Sequence, residues 1–415
     1  MIKRNLQAIV EARIEEDPVV LIEGARTVGK SNLLQALAQS KGGQVLDLDD
    51  LATRTAVEAD PGTFVTGEGP VFIDEYQKVP TILDAIKSEL NLDASPGRYI
   101  LTGSARHDSL PQAAQALTGR LGILQLLPLT QGEILGSSRN LISDLFDGGT
   151  SYASTTLSPT SRDEYIEKMV IGGFPMALNR VGTASRNRWF DNYIKLTLSR
   201  DVKELSKVRQ PAILQEVLER LAGQTAQVLS MSRIATKLSV KKDLVTNYTK
   251  LLEAVFLVYR LPGWGTSLLS RTTSNPKVHV LDSGVAARLL RLTPEKLLAK
   301  NPTALTELGH LLETFVVGEL LRQTTWIDGI AGIGHWRTYD NDEVDLVVER
   351  DDGAIIAFEI KAGSQIPTKD FNPMRKLRDK VGSSFLAGVG LYLGQRSYTV
   401  EDRIHAMPVD RIWLP

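Results

Sequence analysis

A short segment near the amino terminus has the residue types and spacing of a phosphate-binding loop. The residues from Gly24 to Ser31, GARTVGKS, match the pattern G-x-x-x-x-G-K-[ST], between an apolar run typical of a strand and a leucine-rich run typical of a helix. In this context backbone N–H groups face the phosphates, the lysine reaches the terminal phosphates and the hydroxyl supplies an oxygen to Mg²⁺. The segment is therefore expected to bind ATP and Mg²⁺ through Gly24, Ala25, Arg26, Thr27, Val28, Gly29, Lys30, Ser31 and Asn32.

Two carboxylates follow a second apolar run, Val71-Phe72-Ile73. Asp74 is expected to hold Mg²⁺ through water, and Glu75 to polarise the attacking water as a general base. Alone the pair is a weak signal, since a helix-capping aspartate beside a solvated glutamate has the same sequence. The pair gains weight from the loop upstream, because ligands of open parallel sheets lie outside the carboxyl ends of the strands.

The elements that must position these residues can be read from Pro18 to Thr130, where short apolar runs alternate with helix-like stretches. This alternation predicts five strands joined by helical crossovers. Val, Ile and Leu are nearly continuous within the runs, as expected for strands covered on both faces of a parallel α/β sheet. We assign residues 1–136 to this P-loop ATPase domain.

The order of the segments resembles the AAA+ branch of P-loop ATPases: QVLDLDD lies between the loop and the acidic strand, and RYILTGSAR follows it. The resemblance implies that Thr102, or alternatively Ser104, helps to position the attacking water.

The segments LTGSAR, LTGRLGILQLLPLTQGEI and NPKVHVLDSGVAARLL resemble a prokaryotic AAA+ ATPase family with a carboxy-terminal nuclease-like domain. This resemblance implies that Arg120, or its alternative Arg106, acts on the γ-phosphate. The arginine would act within one chain or across a subunit interface of a homo-oligomer. Both arginines are also consistent with ordinary surface positions.

A second group of charged residues lies near the carboxyl terminus. Glu343 and Asp345 open one apolar run, and Glu359 and Lys361 close the next, where strand alternation puts both on one face. Glu313, from a predicted helix, would complete a cluster that holds one or two Mg²⁺ ions, with Lys361 orienting the hydrolytic water.

This arrangement resembles the active site of the PD-(D/E)xK nucleases, although the proline of the name is absent before Asp345. The resemblance implies catalytic roles for Glu313, Asp345, Glu359 and Lys361, with Asp345 and Glu359 as Mg²⁺ ligands. An E-x-K at a strand end is also common as a surface ion pair, and such a fold can retain a merely binding or inactive site. We assign residues 284–415 to this restriction-endonuclease-like α/β domain.

Three further segments lie between these domains. Residues 137–162 are rich in Ser, Thr and Gly and predict a flexible linker or insertion, and residues 163–210 predict a helical segment. Residues 211–283 predict three helices followed by strands, the pattern of a winged helix.

DNA is the predicted partner of the winged helix and of the basic helices. Ser230 would cap the second helix, and the third would present Thr246, Asn247 and Lys250 to a major groove. The alternative is a module that packs within the protein or between subunits. The basic residues of the other helices are Arg186, Arg188, Lys195, Arg200, Lys203, Lys207 and Arg209, and Lys369, Arg375, Lys376, Arg378 and Lys380.

Composition limits the remaining classes. With 42% hydrophobic and 23% charged residues, the chain has the composition of a folded globular protein. It has no cysteine and no long uninterrupted apolar window, so we expect a cytoplasmic protein without a signal peptide or membrane span. The formal net charge is −1, so contact with DNA must come from a local patch.

The predicted fold class is α/β: an amino-terminal parallel-sheet P-loop ATPase domain, a helical and winged-helix middle, and a carboxy-terminal restriction-endonuclease-like domain. The leading hypothesis is an AAA+ protein that hydrolyses ATP and couples its turnover to DNA binding or processing, with a Mg²⁺-dependent nuclease or its binding-only relic. A second hypothesis makes the nuclease the primary activity and ATP its regulator. A third is a nucleotide-switched protein-binding module with an inactive nuclease-like domain.

Overall fold

The structure, a computed structural model, describes residues 2–67, 69–109, 117–148, 156–206, 208, 210–267, 275–299 and 301–415. Within these residues the strands form a five-stranded, a three-stranded and a six-stranded sheet. None of the described helices combines the length and the apolar content that crossing a membrane requires.

The amino-terminal sheet is parallel, as predicted. Its strands are β1 (Val19–Glu23), β2 (Val45–Asp47), β3 (Val71–Asp74), β4 (Tyr99–Gly103) and β5 (Leu121–Gln125), in the order β2-β3-β4-β1-β5. The helices around it are α1 (Gln7–Ile14), α2 (Lys30–Lys41), α3 (Leu51–Ala59), α4 (Pro61–Val65) and α5 (Ile82–Leu90). Along β1, Val20 and Ile22 belong to the core on the α2 side, and Val19 and Leu21 to the core on the α5 side. Both faces are covered, which explains the unbroken apolar run.

The middle of the chain is mainly helical. It contains α6 (Gln131–Leu135), α7 (Leu141–Phe146), α8 (Arg162–Ile171), α9 (Pro175–Leu178), α10 (Thr183–Leu196), a π-helical turn (Thr197–Asp201), α11 (Val202–Leu205), α12 (Pro211–Ala222), α13 (Met231–Leu238) and α14 (Lys242–Ala254). A small antiparallel sheet, order β6-β8-β7, is formed by β6 (Gln227–Val228), β7 (Val258–Leu261) and β8 (Lys277–Val280). Ser230 caps α13 as predicted. The three predicted helices are present, but the strand β6 lies between the first and the second of them instead of after the third. The winged helix and a DNA-binding role for it stay predictions.

The next helices, α15 (Ser283–Leu289) and α16 (Pro294–Leu298), pack both against α8 and against the long helix α17 (Pro302–Thr324) that follows them. The side chain of Asp282 explains the contact between α15 and α8, because it accepts hydrogen bonds from the backbone N–H of Gly173 (2.7 Å) and of Gly284 (2.9 Å). It therefore caps α15 and ties that helix to the end of α8. The domain boundary predicted at residue 284 stays a prediction.

The carboxy-terminal domain begins with the long helix α17 (Pro302–Thr324). Its strands are β9 (Ile330–Arg337), β10 (Glu343–Arg350), β11 (Ile355–Lys361), β12 (Phe385–Tyr392), β13 (Tyr398–Glu401) and β14 (Ile404–Pro408), in the order β13-β14-β12-β11-β10-β9, with α18 (Asn372–Val381) before β12. The pairs β11–β12 and β12–β14 are parallel and the others are antiparallel. This mixed α/β domain agrees with the predicted class, while its likeness to restriction endonucleases stays a prediction.

The segment predicted as a flexible linker, residues 137–162, is packed wherever it is described. Leu141, Ile142 and Leu145 of α7 are buried, and the backbone N–H of Leu141 donates to the Gln323 side chain of α17 at 2.9 Å. The hydroxyl of Thr160 donates to Asp410 at 2.8 Å. Distant partners thus contact the described residues of this segment, its assignment as a flexible linker or insertion stays a prediction, and residues 149–155 lie outside the described part.

Candidate nucleotide site and carboxylate cluster

The phosphate-binding loop runs from the carboxyl end of β1 to the amino end of α2, where the sequence predicts it. Gly29 has a φ of +103°, a left-handed conformation that favours glycine. A Cβ on Gly24 would lie 2.1 Å from the carbonyl oxygen of Leu126, so this position also requires glycine. The two glycines fix the path of the loop at the edge of the sheet.

Lys30 reaches back under the loop. Its Nζ donates to the carbonyl oxygens of Gly24 (2.9 Å) and Ala25 (3.1 Å) and lies 3.8 Å from Glu75. Burial lowers the pKa of Lys30, and the charges of Glu75 and Asp74 oppose this effect. The ammonium is thus placed between the loop and the carboxylates, where terminal phosphates would meet it.

Asp74 ends β3 beside the loop. Its carboxylate accepts hydrogen bonds from the hydroxyl groups of Ser31 and Thr102. Burial raises the pKa of Asp74, while these hydrogen bonds lower it. Ser31 and Asp74 are therefore adjacent oxygen donors, the ligand chemistry that Mg²⁺ prefers.

Glu75 follows Asp74 in a left-handed conformation, with a φ of +56°, which turns its side chain away from the strand. Its carboxylate accepts hydrogen bonds from the Ser104 hydroxyl (2.9 Å) and from the Gln77 amide, and its backbone N–H donates to Thr102 Oγ1 (3.1 Å). Thr102 and Ser104, the two candidates for the polar residue at the end of the strand that follows β3, thus both lie in the site. Thr102 accepts a hydrogen bond from the backbone of Glu75, and Ser104 donates one to its carboxylate.

The charge state of Glu75 is set by opposing effects. Burial raises the pKa of Glu75. The positive charges of Lys30 and Arg26, with the hydrogen bonds from Ser104 and Gln77, lower it by more than burial raises it, so the pKa lies below the ordinary value for glutamate. The side chain is therefore ionised at neutral pH, as a general base must be.

Arg120 lies at the wrong edge of the sheet to act within its own chain. It immediately precedes β5, whose first residue, Leu121, pairs with Val19 at the start of β1. The parallel register puts Arg120 at least roughly 13 Å from the carboxyl edge, at about 3.3 Å per residue. Its guanidinium donates to Asn91 at 3.0 Å. Action on a γ-phosphate in the same chain is therefore contradicted, and action across a subunit interface stays a prediction.

Arg106, the alternative, follows β4 at the carboxyl edge. Its guanidinium lies over the ring of Phe256, 5.5 Å from the centroid, and its backbone N–H donates to the carbonyl of Ala254 at 2.9 Å. Burial raises the pKa of Glu23, at the end of β1, and the charge of Arg106 partly offsets this rise. Arg106 therefore stands on the same edge as the loop, against the middle of the chain.

Two contacts to the loop were missed by sequence reasoning. Arg4 donates to the carbonyl oxygens of Val28 (2.7 Å) and Leu127 (2.6 Å) and braces the loop from outside. Arg26 of the loop pairs with Asp201 of the π-helical turn at 2.6 Å. Neither contact could be read from the sequence, because the partners of both arginines are far away along the chain.

A cavity of about 550 Å³ adjoins the loop. It lies between the amino-terminal segment, α2 and the start of the middle region, and it is lined by Ile2, Lys3, Arg4, Gln7, Val28, Gly29, Asn32, Leu33, Ala36, Leu129, Pro175 and Asn179. Its mixed lining and its position beside Gly29 and Asn32 suit a heterocyclic base whose phosphates lie in the loop.

The carboxy-terminal cluster contains a lysine that the sequence reasoning did not place there. Lys277, from β8, has its Nζ 2.6 Å from Glu313, 2.5 Å from Glu343 and 2.9 Å from Asp345. The backbone N–H of Ile360 also donates to Asp345 at 3.0 Å. Lys277 is the first residue of the short strand KVHV, and the sequence around it does not identify its distant partners.

Glu359 and Lys361 form a separate pair at 2.6 Å in the same cluster. Burial raises the pKa of Glu359 to about 8, with a contribution from the negative charge of Asp345. Among the described residues, no three or more His, Cys, Asp or Glu side chains form a group that could hold a metal ion. In the structure the carboxylates of Asp345 and Glu359 are instead paired with the ammonium groups of Lys277 and Lys361, and the Mg²⁺ site stays a prediction.

The face of α14 that is predicted to contact DNA is only partly exposed to solvent. Asn247 and Lys250 are exposed and Thr246 is half-buried. Asn247 and Lys250 also line a groove of about 420 Å³ with Ser206 and Val208. Lys207 and Arg209, beside this groove in sequence, lie outside the described residues.

The connection after β7 contacts the carboxy-terminal domain. Trp264 is buried, and its backbone N–H donates to the carbonyl of His335 at 2.7 Å. The basic helix α18 is largely paired as well: Arg375 and Arg378 both contact Glu401, at 2.9 and 3.0 Å. Lys376 pairs with Asp342 at 2.6 Å. These pairs reduce the positive charge that α18 offers to DNA.

Comparison with known proteins agrees with the amino-terminal site. Residues 16–135 match a family model described as an AAA domain. With its parallel sheet and phosphate-binding loop, this part of the chain is an AAA-type P-loop ATPase domain. Residues 162–296 and 308–412 match two models described as domains of unknown function, DUF8612 and DUF4143.

The chain is also similar to whole proteins. It is 26% identical over 412 residues to the uncharacterized proteins Rv2008c of Mycobacterium tuberculosis and Mb2031c of Mycobacterium bovis, covering 99% of this chain and 84% of each of them. Among solved structures it is similar to the Walker-type ATPase PABY2304 of Pyrococcus abyssi (TM-score 0.43, 15% identity, 70% of this chain and 96% of that one). The RuvB Holliday junction branch migration motor of Thermotoga maritima has a TM-score of 0.29 and 18% identity over 62% of this chain and 87% of that one.

Proposed function

We propose that the protein binds ATP with Mg²⁺ and hydrolyses it at the carboxyl edge of the amino-terminal sheet. The observation that carries this proposal is that three separate elements meet there. The loop and α2 supply Lys30 and Ser31, the end of β3 and the residue after it supply Asp74 and Glu75, and β4 supplies Thr102. This is the set of groups that phosphoryl transfer to water needs.

Each residue has a distinct role in this proposal. Ser31 and Asp74 would hold Mg²⁺, which when bound neutralises charge on the β- and γ-phosphates. Lys30 exchanges its bonds to the loop carbonyls for bonds to the terminal phosphates. Glu75, kept ionised by its neighbours, orients the attacking water and accepts its proton. Thr102 holds Asp74 and the backbone of Glu75 in place.

The cavity beside the loop is the proposed site of the adenine base. It adjoins Gly29 and Asn32 at the start of α2, so a base there leaves its phosphates at the amino end of that helix. Asn179 and Pro175 of the middle region line the same cavity. A bound nucleotide would therefore contact both the amino-terminal domain and the middle region.

The experiment that tests this proposal replaces Lys30 with alanine. We expect Lys30→Ala to lose ATP hydrolysis by at least about 100-fold, because the terminal phosphates lose their cationic partner. Phosphate release by the purified protein measures the effect. Lys41→Ala is the matched control on the same helix, since Lys41 pairs with Glu15 at the far end of α2. Equal hydrolysis by Lys30→Ala and Lys41→Ala would show that the site assignment is wrong.

We further propose that ATP turnover is coupled to DNA binding, and that α14 makes the contact with DNA. The support is a set of exposed residues on one helix, Lys241, Lys242, Asn247 and Lys250. The competing proposal is a nucleotide-switched module that binds a protein, supported by the docked connection at Trp264 and the paired charges of α18. Fluorescence anisotropy with labelled duplex DNA at low salt separates them: binding supports the first, and absence of binding supports the second.

Assembly into a homo-oligomer is proposed on the position of Arg120. Arg120 is far from the phosphate-binding loop of its own chain, so it could act only on ATP that is bound to a neighbouring subunit. Light scattering with and without ATP tests this, and a monomer under both conditions would exclude it.

A further inference from the structure

Lys277 is a buried lysine at the start of β8. Only 1% of its side chain is exposed, whereas lysine is almost never buried this fully unless it is paired. An ammonium group has three N–H donors, and the three carboxylates around it lie at 2.5, 2.6 and 2.9 Å. The donor capacity of Lys277 is therefore used completely within the cluster.

The charges in this cluster come from two different parts of the molecule. Glu313 lies on α17, and Glu343 and Asp345 lie on β10, all in the carboxy-terminal domain. Lys277 comes from the small antiparallel sheet of the middle region. Three carboxylates this close would repel one another without a cation between them. A side chain of the neighbouring domain supplies that cation.

The contacts around Lys277 join the same two parts. Thr225 Oγ1, beside β6, lies 2.8 Å from Thr314 Oγ1 on α17. His335 Nε2, on β9, lies 3.0 Å from the carbonyl oxygen of Asn275. Lys277 thus lies in a junction between the two parts that hydrogen bonds of other residues also span.

We propose that Lys277 takes the place of a metal ion in this cluster. Its ammonium lies among the carboxylates of Glu313, Glu343 and Asp345, pairs with all three and fastens the carboxy-terminal domain to the small antiparallel sheet, so the cluster binds no divalent metal in the intact protein. The cluster acts as an interdomain latch and not as a nuclease centre. This inference is independent of ATP hydrolysis at the loop.

The metal part of the proposal is tested with Mn²⁺ on the full-length, nucleotide-free protein. Electron paramagnetic resonance counts the Mn²⁺ ions bound to the wild type and to Asp345→Asn. We expect equal numbers, because any Mn²⁺ near Ser31 and Asp74 is common to both proteins. One more bound Mn²⁺ in the wild type than in Asp345→Asn would overturn the proposal.

The latch part is tested by replacing Lys277 with methionine, which keeps the length of the side chain without its charge. We expect the thermal midpoint of Lys277→Met to fall by more than about 5 °C, because three carboxylates lose their shared partner. Lys277→Met combined with Asp345→Asn should recover part of this loss, since it removes one of the repelling charges. Lys250→Met, at an exposed lysine, is the control and should leave the midpoint unchanged.

Two outcomes would contradict the latch: a Lys277→Met protein as stable as the wild type, or a double variant no more stable than the single one. Failure of Lys277→Met to fold is the extreme form of the expected loss. The Mn²⁺ comparison does not change Lys277, so it tests the metal part in that case as well.

Discussion

Gly24 illustrates how little space the phosphate-binding loop has. The carbonyl oxygen of Leu126 would lie 2.1 Å from a Cβ at this position, and Val28 Cγ2 would lie 3.5 Å from it. Leu126 follows the last residue of β5, and Arg4 holds the neighbouring Leu127. The shape of the loop thus depends on residues that lie before and after the motif.

Gly24→Ala is expected to weaken ATP binding at least about tenfold, or roughly 1.4 kcal/mol, because either the loop or the end of β5 must move. Titration with a fluorescent ATP analogue measures this. Gly309→Ala is the control, since a Cβ on Gly309 in α17 would meet nothing within 4 Å. Unchanged affinity in Gly24→Ala would show that the loop tolerates the displacement.

Some site residues could be predicted from the sequence and others could not. Lys30 belongs to a local motif, and Asp74 and Thr102 stand at strand ends, so the parallel sheet brings them together. Lys277 and Arg4 act through partners more than 60 and 120 residues away, at Asp345 and Leu127. Such pairs depend on tertiary packing and leave no local pattern.

At the scale of elements, ion pairs of Arg26 connect the phosphate-binding loop with the π-helical turn and the helix after it. Arg26 pairs with Asp201 at 2.6 Å and lies 3.8 Å from Glu204 of α11. Glu204 also accepts a hydrogen bond from Lys78, just after the acidic strand, at 2.8 Å. π-Helical turns are frequent at functional sites, so this turn is well placed to respond to the loop.

Asp201→Asn is expected to tighten ATP binding several-fold. Without the Asp201 carboxylate, Arg26 is freer to contact the phosphates, and a coupling of this size corresponds to about 1 kcal/mol. The dissociation constant from the same fluorescent titration is the measurement. Asp191→Asn serves as the control, because Asp191 is exposed and pairs with Arg288. Weaker binding by Asp201→Asn alone would show that the pair supports the nucleotide-binding form of the loop.

Strands could be predicted from the sequence where every residue of the strand is buried. β1 reads as an unbroken apolar run because both of its faces are covered. The positions of α7 and α15 were not predictable, because they are fixed by Gln323 and Asp282 through bonds to distant backbone groups. The positions of these two helices therefore depend on side-chain hydrogen bonds that composition does not reveal.

At the scale of the whole molecule, Glu319 connects the end of the amino-terminal domain with the carboxy-terminal domain. Its buried carboxylate, on α17, accepts hydrogen bonds from the backbone N–H of Gln131 at 2.9 Å and from Arg322 at 3.1 Å. Burial raises the pKa of Glu319 to about 7, although the charge of Arg322 lowers it. The junction between α6 and the carboxy-terminal domain thus contains a group that titrates near neutral pH.

This pKa predicts how stability changes with pH. Between about pH 4.5 and 7 the folded protein keeps a proton on Glu319 that the unfolded chain has lost, so this group makes stability fall as pH rises. Glu319→Gln lacks the effect, and its free energy of unfolding relative to the wild type should rise by on the order of 3 kcal/mol between pH 5 and 8. Denaturant unfolding at both pH values measures the difference. Parallel pH profiles for the two proteins would contradict the assignment.

The most direct test of the account is the turnover of ATP by Glu75→Gln, measured together with ATP binding on the same sample. The account predicts that this variant binds ATP within a few-fold of the wild type but hydrolyses it at least about 100-fold more slowly, because the attacking water loses its general base. Hydrolysis by Glu75→Gln at the wild-type rate, with ATP bound equally well, would contradict the proposed site.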